Sequence, residues 1–164
     1  LSRKIGFVEA AVYRHFASKS EFLLTVLELL SQNVQQRFMS INETSESPLD
    51  KLKDSIEAYF VYFSENTALV TLHLSDGIYK NEPAAQQKVL KIMDDLRDHY
   101  KDLIDQARSN SLINTELDSD SLSTVILGTL RLYVTRWSLD GHRYDVKNDA
   151  QIVFNIIESI LKKV

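Results

Sequence analysis

Apolar residues recur at steps of three and four along nearly the whole chain, and the breaks in that rhythm mark the ends of elements. Phe22, Leu23, Val26, Leu27, Leu30, Val34, Phe38 and Ile41 form one stripe, which predicts a helix over about 20–42. A polar stretch over 42–47 leads to Ser47-Pro48, a helix start. Ser47 can cap, and Pro48 suits a first position where no intrahelical partner is needed for an N–H. Leu49, Leu52, Ile56, Tyr59, Phe60 and Phe63 continue that helix to about Glu65. Asn66-Thr67 allows a break before a shorter helix with Leu69, Leu72, His73 and Ile78. Asn81-Glu82-Pro83 is a second restart, and Val89, Met93, Leu96, Tyr100, Leu103, Ile104 and Ala107 then make a long stripe. Capping residues at 118–121 open a helix over about 120–139 that is apolar on more than one side, so it is expected to meet two partners. Gly141 ends it. The last helix, about 147–163, carries the pairs Ile152/Val153, Ile156/Ile157 and Ile160/Leu161. No stretch alternates as a strand would, and no repeat is present. The expected fold class is all-α.

Composition narrows this. At 164 residues the chain is one domain, or one domain with a small appendage. Four Gly and two Pro are few, which favours long helices with short connections. The absence of cysteine excludes a disulfide framework, a thiolate metal site and a cysteine nucleophile. No apolar run has transmembrane length and no signal peptide opens the chain, so a cytoplasmic protein with no membrane partner is expected. The net charge of −4 is unevenly placed. Residues 1–19 hold Arg3, Lys4, Arg14 and Lys19 against Glu9, a balance of +3 that leaves −7 on the rest. A small basic head on an acidic body fits a local phosphate contact.

The head is "GFVEAAVYRHFASK". Leu1, Ile5, Val12 and Phe16 flank a break at Gly6, the pattern of two short helices crossing at a sharp turn. The second, about 8–16, would bury Val12 and Phe16 and present Glu9, Ala10, Ala11, Tyr13, Arg14 and His15 outward. Ser18 can cap the long helix that follows, with Glu21 at capping-box spacing. Lys19 in its first turn adds a cation where backbone N–H groups already favour an anion. From the residues alone, a plain solvated helical hairpin accounts for this segment as well as a nucleic-acid contact does.

"GFVEAAVYRHFASKSEFL" resembles the end of the helix-turn-helix in the TetR family of transcriptional repressors. The family pattern there is roughly Gly-Val-Ser, a few variable residues, then Leu-Tyr-x-His/Tyr-Phe-x-x-Lys. Gly6, Phe7, Val12, Tyr13, His15, Phe16 and Lys19 fall on it in register. Val8 stands where the family often has Ser or Thr, and Phe7 replaces a smaller residue. The resemblance implies that residues 1–19 are the C-terminal part of a helix-turn-helix whose first helix lies upstream. Residues 20–164 would then be a helical effector-binding and dimerisation domain. It implies Tyr13, His15 and Lys19 on phosphates, and Glu9, Ala10, Ala11 and Arg14 facing base edges, with Arg14 suited to a guanine.

In the body, Tyr59, Phe60, Tyr62, Phe63, His73, Tyr79, Tyr100 and Trp137 span four expected helices. These rings either fill a core or wall a cavity, and spacing does not decide between the two. The resemblance implies an effector pocket, with Tyr59, Tyr62, Phe63, His73, Tyr100 and Trp137 as its candidates. It also implies a homodimer through the last two helices, with Leu130, Tyr133, Val134 and Val153 as candidate contacts. Asp94, Asp95, Asp98, Asp102 and Asp105 are interleaved with Lys91, Arg97, Lys101 and Arg108, the signature of a salt-bridged solvated face rather than a metal site. The four histidines lack paired ligand spacing, and no phosphate loop or nucleophile motif is present. No metal, no cofactor and no catalysis are expected. The function implied is a repressor that binds palindromic double-stranded operator DNA on the nucleoid as a homodimer and answers to a small-molecule effector. A dimeric ligand-binding or adaptor protein that does not act through DNA is the alternative.

Overall fold

Local chemistry accounts for where each helix starts and stops. In the computed structural model, residues 16, 18–74, 79 and 81–162 are described, with Lys19 and 71–74 by backbone alone. Helix α1 spans Lys19–Thr44, and the Ser18 hydroxyl caps it by accepting from the Glu21 N–H at 3.1 Å. Helix α2, Pro48–Glu65, opens on a closed capping box: Ser47 Oγ accepts from Asp50 N–H, and the Asp50 carboxylate accepts from Ser47 N–H, both at 3.2 Å. Helix α3 covers Thr67–Leu74 and helix α4 Pro83–Ser109. Asp118 caps helix α5, Ser119–Leu139, by accepting from Ser121 N–H at 2.8 Å.

The chain then makes a short 3-10 turn, Val146–Asn148, before helix α6, Asp149–Leu161. The last helix therefore starts two residues later than its apolar pattern indicates. Asp145 caps the turn by accepting from Lys147 N–H at 3.1 Å, which holds the chain in the tighter winding first. All the described elements are helical, and the chain is all-α. Ile78, expected at the end of the short helix, lies outside the described residues.

Two apolar clusters hold these helices. The larger joins α2, α4, α5 and α6 through Leu52, Ile56, Phe60, Tyr100, Ile104, Ile126, Leu130, Val134, Val153 and Ile157, each at most 2% exposed. Burial of side chains of this size stabilises by about 1.5–3 kcal/mol each. The smaller cluster attaches α1 to α4, with Leu23 and Leu27 against Ala85, Ile92 and Tyr79. The first half of α1 thus rests on a small core of its own, and Leu30 packs against both clusters and links the two. Helix α5 is two-faced: Leu122, Ile126, Leu130, Val134 and Trp137 point into the protomer, while Val125, Leu132 and Leu139 are exposed.

Candidate functional site

Between α1, α2 and α4 lies a cavity of about 50 Å3. Helix α1 contributes Leu30, Val34, Arg37 and Phe38, four positions on one face of a 3.6-residue repeat. Helix α2 adds Ser55, Tyr59, Tyr62 and Phe63, and α4 closes the space with Ile92, Leu96 and Tyr100. The lining is mostly ring and aliphatic carbon. Room for about three waters remains.

The polar groups around it are largely committed to one another. Tyr100, fully buried, donates its hydroxyl to the Ser55 backbone carbonyl at 3.3 Å. The Ser55 hydroxyl shares a 2.8 Å hydrogen bond with His99 Nε2, and the His99 ring stacks on Phe38 with centroids 3.5 Å apart and planes 7° from parallel. Burial pushes the His99 pKa down from 6.5 to about 4, so the imidazole is neutral at physiological pH and pairs with Ser55 as a neutral group. Burial also raises the Tyr59, Tyr62 and Tyr100 phenols, against an opposing pull from Arg131 on Tyr59 and from Arg37 on Tyr62. These hydroxyls stay protonated. Arg37 differs: its guanidinium lies 5.3 Å above the Tyr62 ring centre, a cation–π contact, and Nη2 stands 3.5 Å from a Glu65 carboxylate oxygen.

Of the expected pocket residues, Tyr59, Tyr62, Phe63 and Tyr100 reach this cavity. Trp137 does not. It packs at the far end of α5, where Nε1 donates to the Tyr144 carbonyl at 2.8 Å and the ring meets His142 at 4.2 Å between centroids. The side chain of His73 lies outside the described residues. Arg37, Phe38 and Ser55 escape a reading built on aromatic clustering. The signal for Phe38 is the apolar α1 stripe itself, and Arg37 stands beside it on the same helical face, which meets α2 and α4.

The interface expectation needs correction. Leu130, Val134 and Val153 are 0% exposed within the single chain, so a partner cannot reach their side chains. Tyr133 packs on the same core, with its ring edge-on to Phe60 at 6.2 Å. The reason is helical phase: α5 spends the 126/130/134/137 face on its own protomer and leaves Val125, Leu132 and Leu139, seven residues apart, to solvent. On α6, Ile152 and Ile156 are likewise exposed.

The expected DNA-contacting residues Glu9, Ala10, Ala11, Tyr13, Arg14 and His15 lie outside the described residues. Lys19 opens α1, and its side chain is likewise outside them. On α4 several of the acidic side chains are paired: Asp95 with Lys91 at 2.8 Å, Asp94 with Arg97 at 3.4 Å and Asp105 with Arg108 at 3.2 Å, while Arg97 also reaches Asp120 of α5 at 3.5 Å. Among the described residues no cluster of His or carboxylates could hold a metal ion, and no helix is long and apolar enough to cross a membrane.

The described residues thus form an all-helical body in which the second half of the long helix α1 walls a cavity. Residues 26–159 match the TetR C-terminal domain family described as YsiA-like protein, C-terminal region, and the chain belongs to the TetR family of transcriptional regulators. Among curated relatives, the nucleoid occlusion factor SlmA of Photobacterium profundum is 17% identical over 88% of this chain and 74% of that protein. Among solved structures, the regulator MbdR from Azoarcus sp. CIB superposes with a TM-score of 0.79 at 15% identity, over 93% of this chain and 82% of that one. The transcriptional regulator FadR from Bacillus subtilis, solved in complex with stearoyl-CoA, gives a TM-score of 0.74 at 18% identity, over 92% and 81%. The family and these solved neighbours are regulators, not enzymes.

Proposed function

We propose that this protein is a ligand-responsive transcriptional repressor that binds palindromic operator DNA as a homodimer. Residues 1–19 form the C-terminal part of its helix-turn-helix and residues 20–164 its effector and dimerisation body. The observation that carries this reading is α1. One unbroken helix of 26 residues begins at the Ser18 cap, directly after the basic head, and its second half walls the cavity through Leu30, Val34, Arg37 and Phe38. A ligand that fills the cavity therefore pushes on the helix that carries the head. It releases DNA to the extent that it binds the released geometry more tightly than the DNA-bound one. The apolar lining supports an effector with an apolar body, consistent with the stearoyl-CoA found in the Bacillus subtilis FadR structure.

In the head, Tyr13, His15 and Lys19 serve phosphates, while Glu9, Ala10, Ala11 and Arg14 face bases. Fluorescence anisotropy on the full-length protein with its own promoter DNA tests this across a salt series. Lys19→Ala should weaken all DNA about equally and flatten the salt slope by about one, whereas Arg14→Ala should relax sequence preference by roughly 1–3 kcal/mol. If Lys19→Ala leaves affinity unchanged at every salt concentration, the phosphate assignment is wrong. Dimerisation without any salt-sensitive DNA binding would identify an adaptor instead.

A further inference from the structure

Among the described residues that line the cavity, Arg37 alone carries a charge. Its side chain is 37% exposed and so sits where the lining meets solvent, while Tyr100, on the opposite wall, is fully buried. The polar groups at the buried side are already engaged, Tyr100 with the Ser55 carbonyl and Ser55 with His99. The present partner of Arg37 is Glu65, 61% exposed and at 3.5 Å, and an exposed pair of that length contributes little. A competing anion can displace it at small cost.

We propose that the site takes a single-tailed amphipathic anion. Its apolar tail lies between α1, α2 and α4, and its carboxylate pairs with Arg37 in place of Glu65. This rests on the effector reading above and specifies its ligand class. The Arg37 guanidinium, 5.3 Å over the Tyr62 ring, is a planar cation suited to a two-oxygen acceptor, which a neutral head would not exploit. The cavity of about 50 Å3 is too small for a chain of eight carbons, so the tail must part α1 from α2 and α4. Because Arg37 belongs to α1, the head of the ligand grips the helix that its tail displaces.

The test is isothermal titration of the full chain with octanoate and with methyl octanoate, which share a tail and differ in head charge. Octanoate should bind about tenfold tighter or more, the scale of a charge-assisted pair. Arg37→Gln should remove that difference without changing the methyl ester. Glu65→Gln, which deletes the competing carboxylate, should tighten octanoate several-fold, by roughly the small strength of an exposed pair. Should Arg37→Gln not fold, the Glu65→Gln gain decides alone, and its absence overturns the proposal. Equal binding of both probes to wild type and Arg37→Gln overturns the anionic head while leaving an apolar effector cavity in place. If neither probe binds, the cavity reading falls together with the head assignment.

Discussion

His99 joins three helices through two contacts. It stands on α4, stacks on Phe38 of α1 and hydrogen-bonds Ser55 of α2. Protonation would place a cation in that packed site, which is why burial depresses its pKa from 6.5 to about 4. A histidine whose folded pKa lies below its unfolded one contributes stability that is complete above about pH 6.5. That stability is lost as pH falls from 6.5 through 4, because the unfolded chain takes up the proton first. The full shift corresponds to roughly 3–3.5 kcal/mol. Urea denaturation of wild type and His99→Gln between pH 7.5 and 4 should show the difference between the two chains shrinking as pH falls. Carboxylates with lowered pKa, such as Glu28 and Asp118, titrate in both chains and cancel in that difference. A pH-independent difference would mean that the imidazole is solvated in the fold. The aromatic positions around His99 stand out in the chain because rings are rare and spaced on one face. The His99–Ser55 pair does not, because its partners are 44 residues apart and each is unremarkable alone.

At the scale of elements, helix starts were legible and helix ends less so. Ser18, Ser47 and Asp118 cap as their position before an apolar stripe indicates. The ends of α4 and α5 use the same device with different residues. In both, the residue after the cap is left-handed, and paired N–H groups turn back to the last helical carbonyls: Ser111 to Arg108 and Leu112 to Ala107, Gly141 to Ser138 and His142 to Trp137. Gly141, at φ 72°, announces this in the sequence, whereas Ser111, at φ 58°, has nothing to mark it. A side chain in that region costs about 1–2 kcal/mol relative to glycine. Ser111→Gly should therefore stabilise the protein by about 1 kcal/mol, and Gly141→Ala should destabilise it by a similar amount, although a Cβ there would meet no atom within 4 Å. Thermal unfolding followed by circular dichroism checks both signs. Equal melting temperatures for Ser111→Gly and wild type would show that the serine gains as much from local contacts as the strain costs.

Across the whole molecule, the two-sidedness of α5 is plain in the sequence, but its phase is not. Both faces are apolar, so only packing shows which one the protomer keeps, and the protomer keeps Leu130 and Val134. The apolar side chains left over, Val125, Leu132 and Leu139 on α5 and Ile152 and Ile156 on α6, are 44–82% exposed. The proposed reading of two half-sites about 34–36 Å apart calls for a second copy, and we propose that it covers these exposed residues. Gly128 lies between Val125 and Leu132 and is itself exposed, with open space where a Cβ would stand. Within one chain it has no packing reason to be glycine, and a glycine in a helix interior costs about 0.5–1 kcal/mol relative to alanine. A close approach by the partner's helix would supply that reason. Leu132→Glu should then give a folded monomer, seen as a halved mass in light scattering with unchanged helical circular dichroism. Gly128→Ala should raise the stability of that monomeric background by about 0.5–1 kcal/mol while weakening self-association of the otherwise native chain. An unchanged mass for Leu132→Glu would place the interface elsewhere. Stronger self-association of Gly128→Ala would show that the two α5 helices do not cross at this glycine.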